Sequence, residues 1–169
     1  MESAVKLYSL KAVELKSYSF VLLFVAGNIV LPQICHLIPM CGMMLLPIYF
    51  FTLIAAYKYG FFTGLVTAVA SPIINHLLFG MPSTEMMSII LVKSVLLAIA
   101  AAYMAQRTKE IKLQNIFLII LFYQGLGMIA EFVLTNSFGA ALQDIRLGFP
   151  GILLQLVGGF YCLKAIAKW

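Results

Sequence analysis

The amino-acid sequence predicts an all-α membrane protein, a six-transmembrane-helix bundle with both termini on the cytoplasmic side. Three observations carry this expectation. Six stretches of the 169-residue chain are each long and apolar enough for a bilayer crossing, which takes about 20 mostly apolar residues for about 30 Å of hydrocarbon. The composition is 63% hydrophobic and only 10% charged, with a mean hydropathy of +1.05, so there is too little polar surface to face water all round. The basic residues, finally, fall almost wholly in connections on one side.

Spans are predicted over 17–34, 41–57, 61–79, 85–105, 116–138 and 149–168. Helices are favoured over barrel strands because lipid cannot satisfy open backbone groups and the segments lack the ten-residue alternation of a barrel. The second span is short and carries Pro47 near its start; it reaches across if it tilts little or thins the bilayer locally. With the N-terminus inside, Lys6, Lys11, Lys16, Lys58, Arg107, Lys109, Lys112, Lys164 and Lys168 are cytoplasmic. Arg146 alone is outside, and Lys93 lies within a span. That bias sets the orientation. Residues 1–16 interleave Val5, Leu7, Tyr8, Leu10, Val13 and Leu15 with lysines, as expected of a juxtamembrane amphipathic segment on the inner surface, and 17–169 form a single transmembrane domain. No small-residue cleavage pattern follows that segment, so it does not read as a removed signal peptide.

The net charge of +5 is explained by topology and not by a nucleic-acid-binding face, because no stripe of Lys and Arg forms on one surface. Cys35, Cys41 and Cys162 are too few and scattered for a disulfide framework. They read as small apolar fillers, with a Cys35–Cys41 bridge at the outer mouth as the alternative. No phosphate loop, His-Glu-x-x-His or Gly-x-Ser-x-Gly motif occurs, and an acid–base reading of Glu131 with His76 lacks a nucleophile or metal. Neither an enzyme nor a bound cofactor is expected.

The polar residues inside the spans gather toward the outer end. Span four enters from outside at Glu85, so Lys93 lies about 12 Å deep at the helical rise; span five ends near Phe138, so Glu131 lies about 10 Å below the same surface. Each charge alone costs at least about 2.5 kcal/mol in a bilayer, and pairing is the simplest remedy. Gln124, Gly127, Glu131 and Thr135 form one helical stripe on span five, and Gly151, Gln155, Gly158 and Cys162 form another on span six. Asn28 on span one and Asn75 and His76 on span three share the outer half, while Arg146 and Asp144 stand in the last external connection. Pro32 to Leu37 and Pro72 to Leu77 both read Pro-x-Ile-x-His-Leu, which sets His36 and His76 at the outer ends of two spans. A cup open to the outside is the expectation. The competing reading makes Lys93 and Glu131 a register-fixing ion pair, Asn28, Asn75 and Gln124 interhelical hydrogen bonds, and the histidines interfacial caps. Gly60, Gly64 and Ala68, and likewise Ser94, Ala98 and Ala102, form small-residue stripes for close packing, either internal or against a membrane partner.

From His36 to Pro82 the chain reads His-Leu-Ile-Pro, Gly42, Leu-Pro-Ile at 46–48, Tyr-Gly at 59–60, Gly64, Ser-Pro at 71–72 and Gly-Met-Pro at 80–82. This order resembles the substrate-binding S components of energy-coupling factor (ECF) vitamin transporters. The resemblance implies a multi-pass protein of the bacterial cytoplasmic membrane that captures a vitamin or precursor from outside. It also implies a transmembrane coupling subunit and two cytoplasmic ATPases as partners. The chain departs from that family in two places. The first helix offers Ser19, Leu23 and Gly27 where the family commonly has Ala-x-x-x-Ala, and the chain begins Met-Glu, not the Met-His of metal-binding members. A nickel or cobalt substrate is therefore not expected.

Two functional classes follow. In the first, the chain is an uptake subunit: Lys93 and Arg146 meet an anionic or carbonyl group, Glu131 and Gln124 accept donors, and Gln155, Asn75 and His76 set orientation, with Asn28 and His36 completing the set. In the second it is a membrane scaffold, similar to the small six-span shape-determining proteins of bacteria, and its buried polar groups serve packing alone.

Overall fold

The computed structural model describes residues 14–38 and 40–167. The predicted amphipathic segment 1–16 lies outside these residues except at its end, where Leu15 and Lys16 already belong to the first helix.

Uninterrupted apolar sequence gives long helices, and Gly, Pro and left-handed residues end them. Helix α1 (Leu15–His36) runs to the first connection, where a short helix α2 (Cys41–Leu45) follows. A 3₁₀ turn at Pro47–Tyr49 leads into α3 (Phe50–Tyr59), and Gly60 alone separates this from α4 (Phe61–Phe79). Helices α5 (Thr84–Thr108) and α6 (Leu113–Thr135) form the longest hairpin. Two single-turn helices, α7 (Phe138–Ala141) and α8 (Gln143–Arg146), precede a last rod built of α9 (Phe149–Leu153), a π-helical turn at Leu154–Gly158 and α10 (Gly159–Ile166). No strand occurs among the described residues.

Five of these rods, α1, α4, α5, α6 and Phe149–Ile166, are long and apolar enough to cross a membrane. Their outer faces carry exposed Leu22, Leu23 and Val30 on α1 and Leu121, Ile129 and Val133 on α6, a surface suited to lipid. The chain has the character of a multi-pass membrane protein.

The second predicted span is the one that the structure corrects: 41–57 is not one continuous helix. Leu46 takes a left-handed conformation (φ 47°, ψ 47°) between α2 and the 3₁₀ turn. Pro47 explains the break, since it offers no N–H to the turn before it and disfavours right-handed helix at the residue ahead. The remaining α3 has 10 residues, about 15 Å, or half a bilayer. It sits at the centre of the bundle: Leu53, Ala55 and Ala56 are 0% exposed, and α1, α4, α5 and α10 pack around it. Irregular backbone at membrane depth is tolerated where protein, not lipid, surrounds it.

The small-residue stripes pack inward. A Cβ on Gly64 would lie 2.5 Å from the Ala56 Cα, so α3 and α4 touch backbone to backbone, and Ala68, Ser94, Ala98 and Ala102 are all buried. The stripe on the last rod changes phase. The wider π turn inserts a residue, so burial continues from Gly151 and Gln155 to Gly159 and Leu163, not to Gly158 and Cys162.

Candidate functional site

A cavity of about 420 Å³ opens among the C-terminal ends of α1, α4 and α6, the α2–α3 break and the N-terminal end of α5. Its wall is mainly apolar: Pro32, Leu46, Pro47, Ile48, Ile89 and Ile90 supply most of it, with Met81 and Met86. Lys93, Glu131, Asn75 and His36, predicted from sequence, all line it.

Lys93 and Glu131 form a direct ion pair between α5 and α6, and each is 2% exposed. The matching depths read from the sequence place them together, and Gly127 makes the meeting possible. A Cβ at Gly127 would stand 2.6 Å from Lys93 Cγ, so the lysine stem lies in the groove that this glycine leaves one turn before Glu131. Burying either charge alone would be far more costly than burying the pair.

Asn75 joins the site to the helix packing behind it. Its Nδ2 donates to the backbone carbonyls of Asn28 (2.9 Å) and Ser71 (3.1 Å), which fixes the amide orientation and leaves its buried Oδ1 without a hydrogen-bond partner. Gln33, which also lines the cavity, holds a buried Nε2 that likewise has none.

The turn between α4 and α5 (Gly80, Met81, Pro82, Ser83) forms one side of the mouth. His76 fastens it: Nδ1 donates to the Pro82 carbonyl at 2.7 Å, which requires the proton on Nδ1. His36, at the end of α1, closes against Gly42, where a Cβ would come within 2.9 Å of the imidazole.

Several predicted site residues lie elsewhere. Asn28 is 0% exposed and donates to Thr52 Oγ1 (3.0 Å) and Ser71 Oγ (3.1 Å), a knot that ties α1 to α3 and α4 away from the cavity. His76 is outside the lining and acts on the turn. Gln124 and Gln155 converge on the Tyr123 hydroxyl, which donates to Gln155 Oε1 at 2.7 Å and accepts from Gln124 Nε2 at 3.2 Å. This cluster touches the cavity lining at Tyr49, whose ring lies 5.6 Å from that of Tyr123. Arg146 is exposed at the end of α8, outside the lining.

Sequence reasoning missed Gln33, Tyr49 and Ser83. Gln33 was legible, since it follows Pro32 and precedes His36 by three residues on the same helix. Tyr49 was not, because its direction depends on the break at Leu46. The cysteines are free thiols: Cys35 is buried, and Cys41 and Cys162 are half-buried. Among the described residues no three His, Cys, Asp or Glu side chains gather as a metal-ligand set. Compared with protein-family models, curated proteins and solved structures, the chain matches none.

Proposed function

We propose that the protein is the substrate-binding subunit of a membrane uptake system, similar to ECF S components, and that its cavity takes a vitamin or vitamin-sized small molecule from outside the cell. The observation that carries this reading is the 420 Å³ cavity walled by apolar side chains with the Lys93–Glu131 pair and Asn75 in its lining. Small-molecule sites have this size, about 300–1,000 Å³, and this mixture of apolar wall with a few polar groups. The cavity supports this reading over the scaffold, in which the same polar groups would serve packing alone.

The proposal counts the α2–α3 segment as a sixth crossing and sets both termini in the cytoplasm. Lys58, Arg107, Lys109, Lys112 and Lys164 support that orientation, because they lie at or beyond the helix ends opposite the cavity, whereas Arg146 lies on its side. Transport would need a membrane coupling subunit and two ATPases in the bacterial cytoplasmic membrane. Thermal unfolding of the purified protein against a vitamin panel tests the binding role. A ligand at 100 times its Kd adds about 2.7 kcal/mol of stability, and a scaffold would gain none from any compound.

A further inference from the structure

Where α1 gives way to α2 the chain folds back through two linked turns: Ile38 N donates to the Cys35 carbonyl at 3.1 Å, and Cys41 N donates to the Ile38 carbonyl at 3.2 Å. Two pairs of side-by-side residues meet across this connection. His36 lies against Gly42, where a Cβ would stand 2.9 Å from the imidazole, and both residues line the cavity. The neighbouring pair is Cys35 and Cys41, whose thiols interact with one another. Cys35 is buried and Cys41 half-buried, so one thiol is open to reagents and the other is shielded. An attacking and a resolving cysteine are arranged in this way. Both stand at the cavity end of the bundle, which the proposed orientation places outside the cytoplasm, where disulfides form and persist.

We infer that Cys35 and Cys41 form a reversible disulfide at the rim of the cavity, closed by a disulfide oxidant outside the cell, and that the bridge clamps α2 to α1. The outside location rests on the orientation proposed above; the bridge rests on the pairing alone. The Cys41 thiolate attacks one sulfur of the oxidant, and the other sulfur leaves as a thiolate. The Cys35 thiolate then attacks the Cys41 sulfur of this mixed disulfide and expels the second thiolate. The protons given up by the two cysteines end on the released thiols, so the oxidant is reduced by the electron pair that the cysteines lose. Because α2 leads directly into Leu46, Pro47, Ile48 and Tyr49, all in the lining, the bridge steadies that side of the wall.

The test takes the full chain in lipid nanodiscs, fully reduced and then exposed to oxidised glutathione. Its intact mass should fall by a pair of hydrogens, N-ethylmaleimide should afterwards cap Cys162 alone, and tandem mass spectrometry should place the link between Cys35 and Cys41. Hydrogen exchange of the 41–46 amides should slow at least about tenfold on oxidation and recover on reduction, with no such response in Cys35→Ser. Maleimide capture by all three cysteines after oxidation, a glutathione that stays on Cys41, or a bridge to Cys162 overturns the inference. A Cys35–Cys41 bridge that leaves the exchange unchanged overturns the clamp. In reduced spheroplasts a membrane-impermeant maleimide should reach Cys41 without permeabilisation. Labelling only after permeabilisation overturns the orientation and the outside oxidant, and leaves the pairing standing. The central readout is made on the unmodified sequence, so it does not depend on the folding of a variant.

Discussion

Two polar regions of the bundle behave differently. Lys93 and Glu131 carry full charges across α5 and α6 and stand in a cavity wall; Asn28, Thr52 and Ser71 are neutral, lie between α1, α3 and α4, and are closed in by packing. Asn75 touches both: its amide N–H groups donate to the backbone carbonyls of Asn28 and Ser71, and the residue lines the cavity. The contrast teaches that polarity at membrane depth has two uses. Asn28, Thr52 and Ser71 bond one another in a closed contact, whereas Lys93 and Glu131 pair with each other in the wall of a hollow.

The largest expected effect breaks the charged region. Lys93→Met leaves Glu131 buried without its ammonium and should lower stability by about 3–5 kcal/mol, with Glu131→Gln similar; both should abolish ligand retention. The double variant should recover most of the stability loss, a coupling that a double-mutant cycle in chemical denaturation measures. Additive losses would mean that the pair does not act as a unit. Gly127→Ala comes next, since the added carbon crowds Lys93 Cγ and pushes it off Glu131; about 1–3 kcal/mol in the same denaturation assay is expected.

Smaller effects sharpen the other side. Asn28→Ala removes two side-chain hydrogen bonds, each worth about 0.6 kcal/mol on average in a membrane, so thermal unfolding should register about 1 kcal/mol. Ligand affinity should change little, because the Asn28 carbonyl that holds Asn75 is backbone and survives the substitution. Arg146→Ala should be smallest, within about 0.5 kcal/mol in unfolding, with calorimetric affinity unchanged, because the side chain is exposed and outside the cavity.

The sequence displays one of these regions more clearly than the other. Apolar length made α1, α4, α5, α6 and the last rod legible, and helical rise placed Lys93 and Glu131 at one depth. Helical spacing does not report which neighbour a polar face meets. Gln124 and Gln155 therefore read as site residues although Tyr123, between them, takes both hydrogen bonds. The hydropathy of 41–57 hides the break at Leu46, where Pro47 outweighs an otherwise spanning composition. That break turns Tyr49 into the cavity wall, and no periodicity in the sequence records it. The π turn at Leu154–Gly158 escapes in the same way, because a single wide turn shifts every later residue on the face without any change in residue type.

Native mass spectrometry of the protein released from its own membrane tests the central claim most directly. The account predicts one small molecule bound per chain in the wild type and none in Lys93→Met that still inserts and folds. A wild-type protein that appears only at its bare mass, or a Lys93→Met protein that retains the same molecule undiminished, would contradict it.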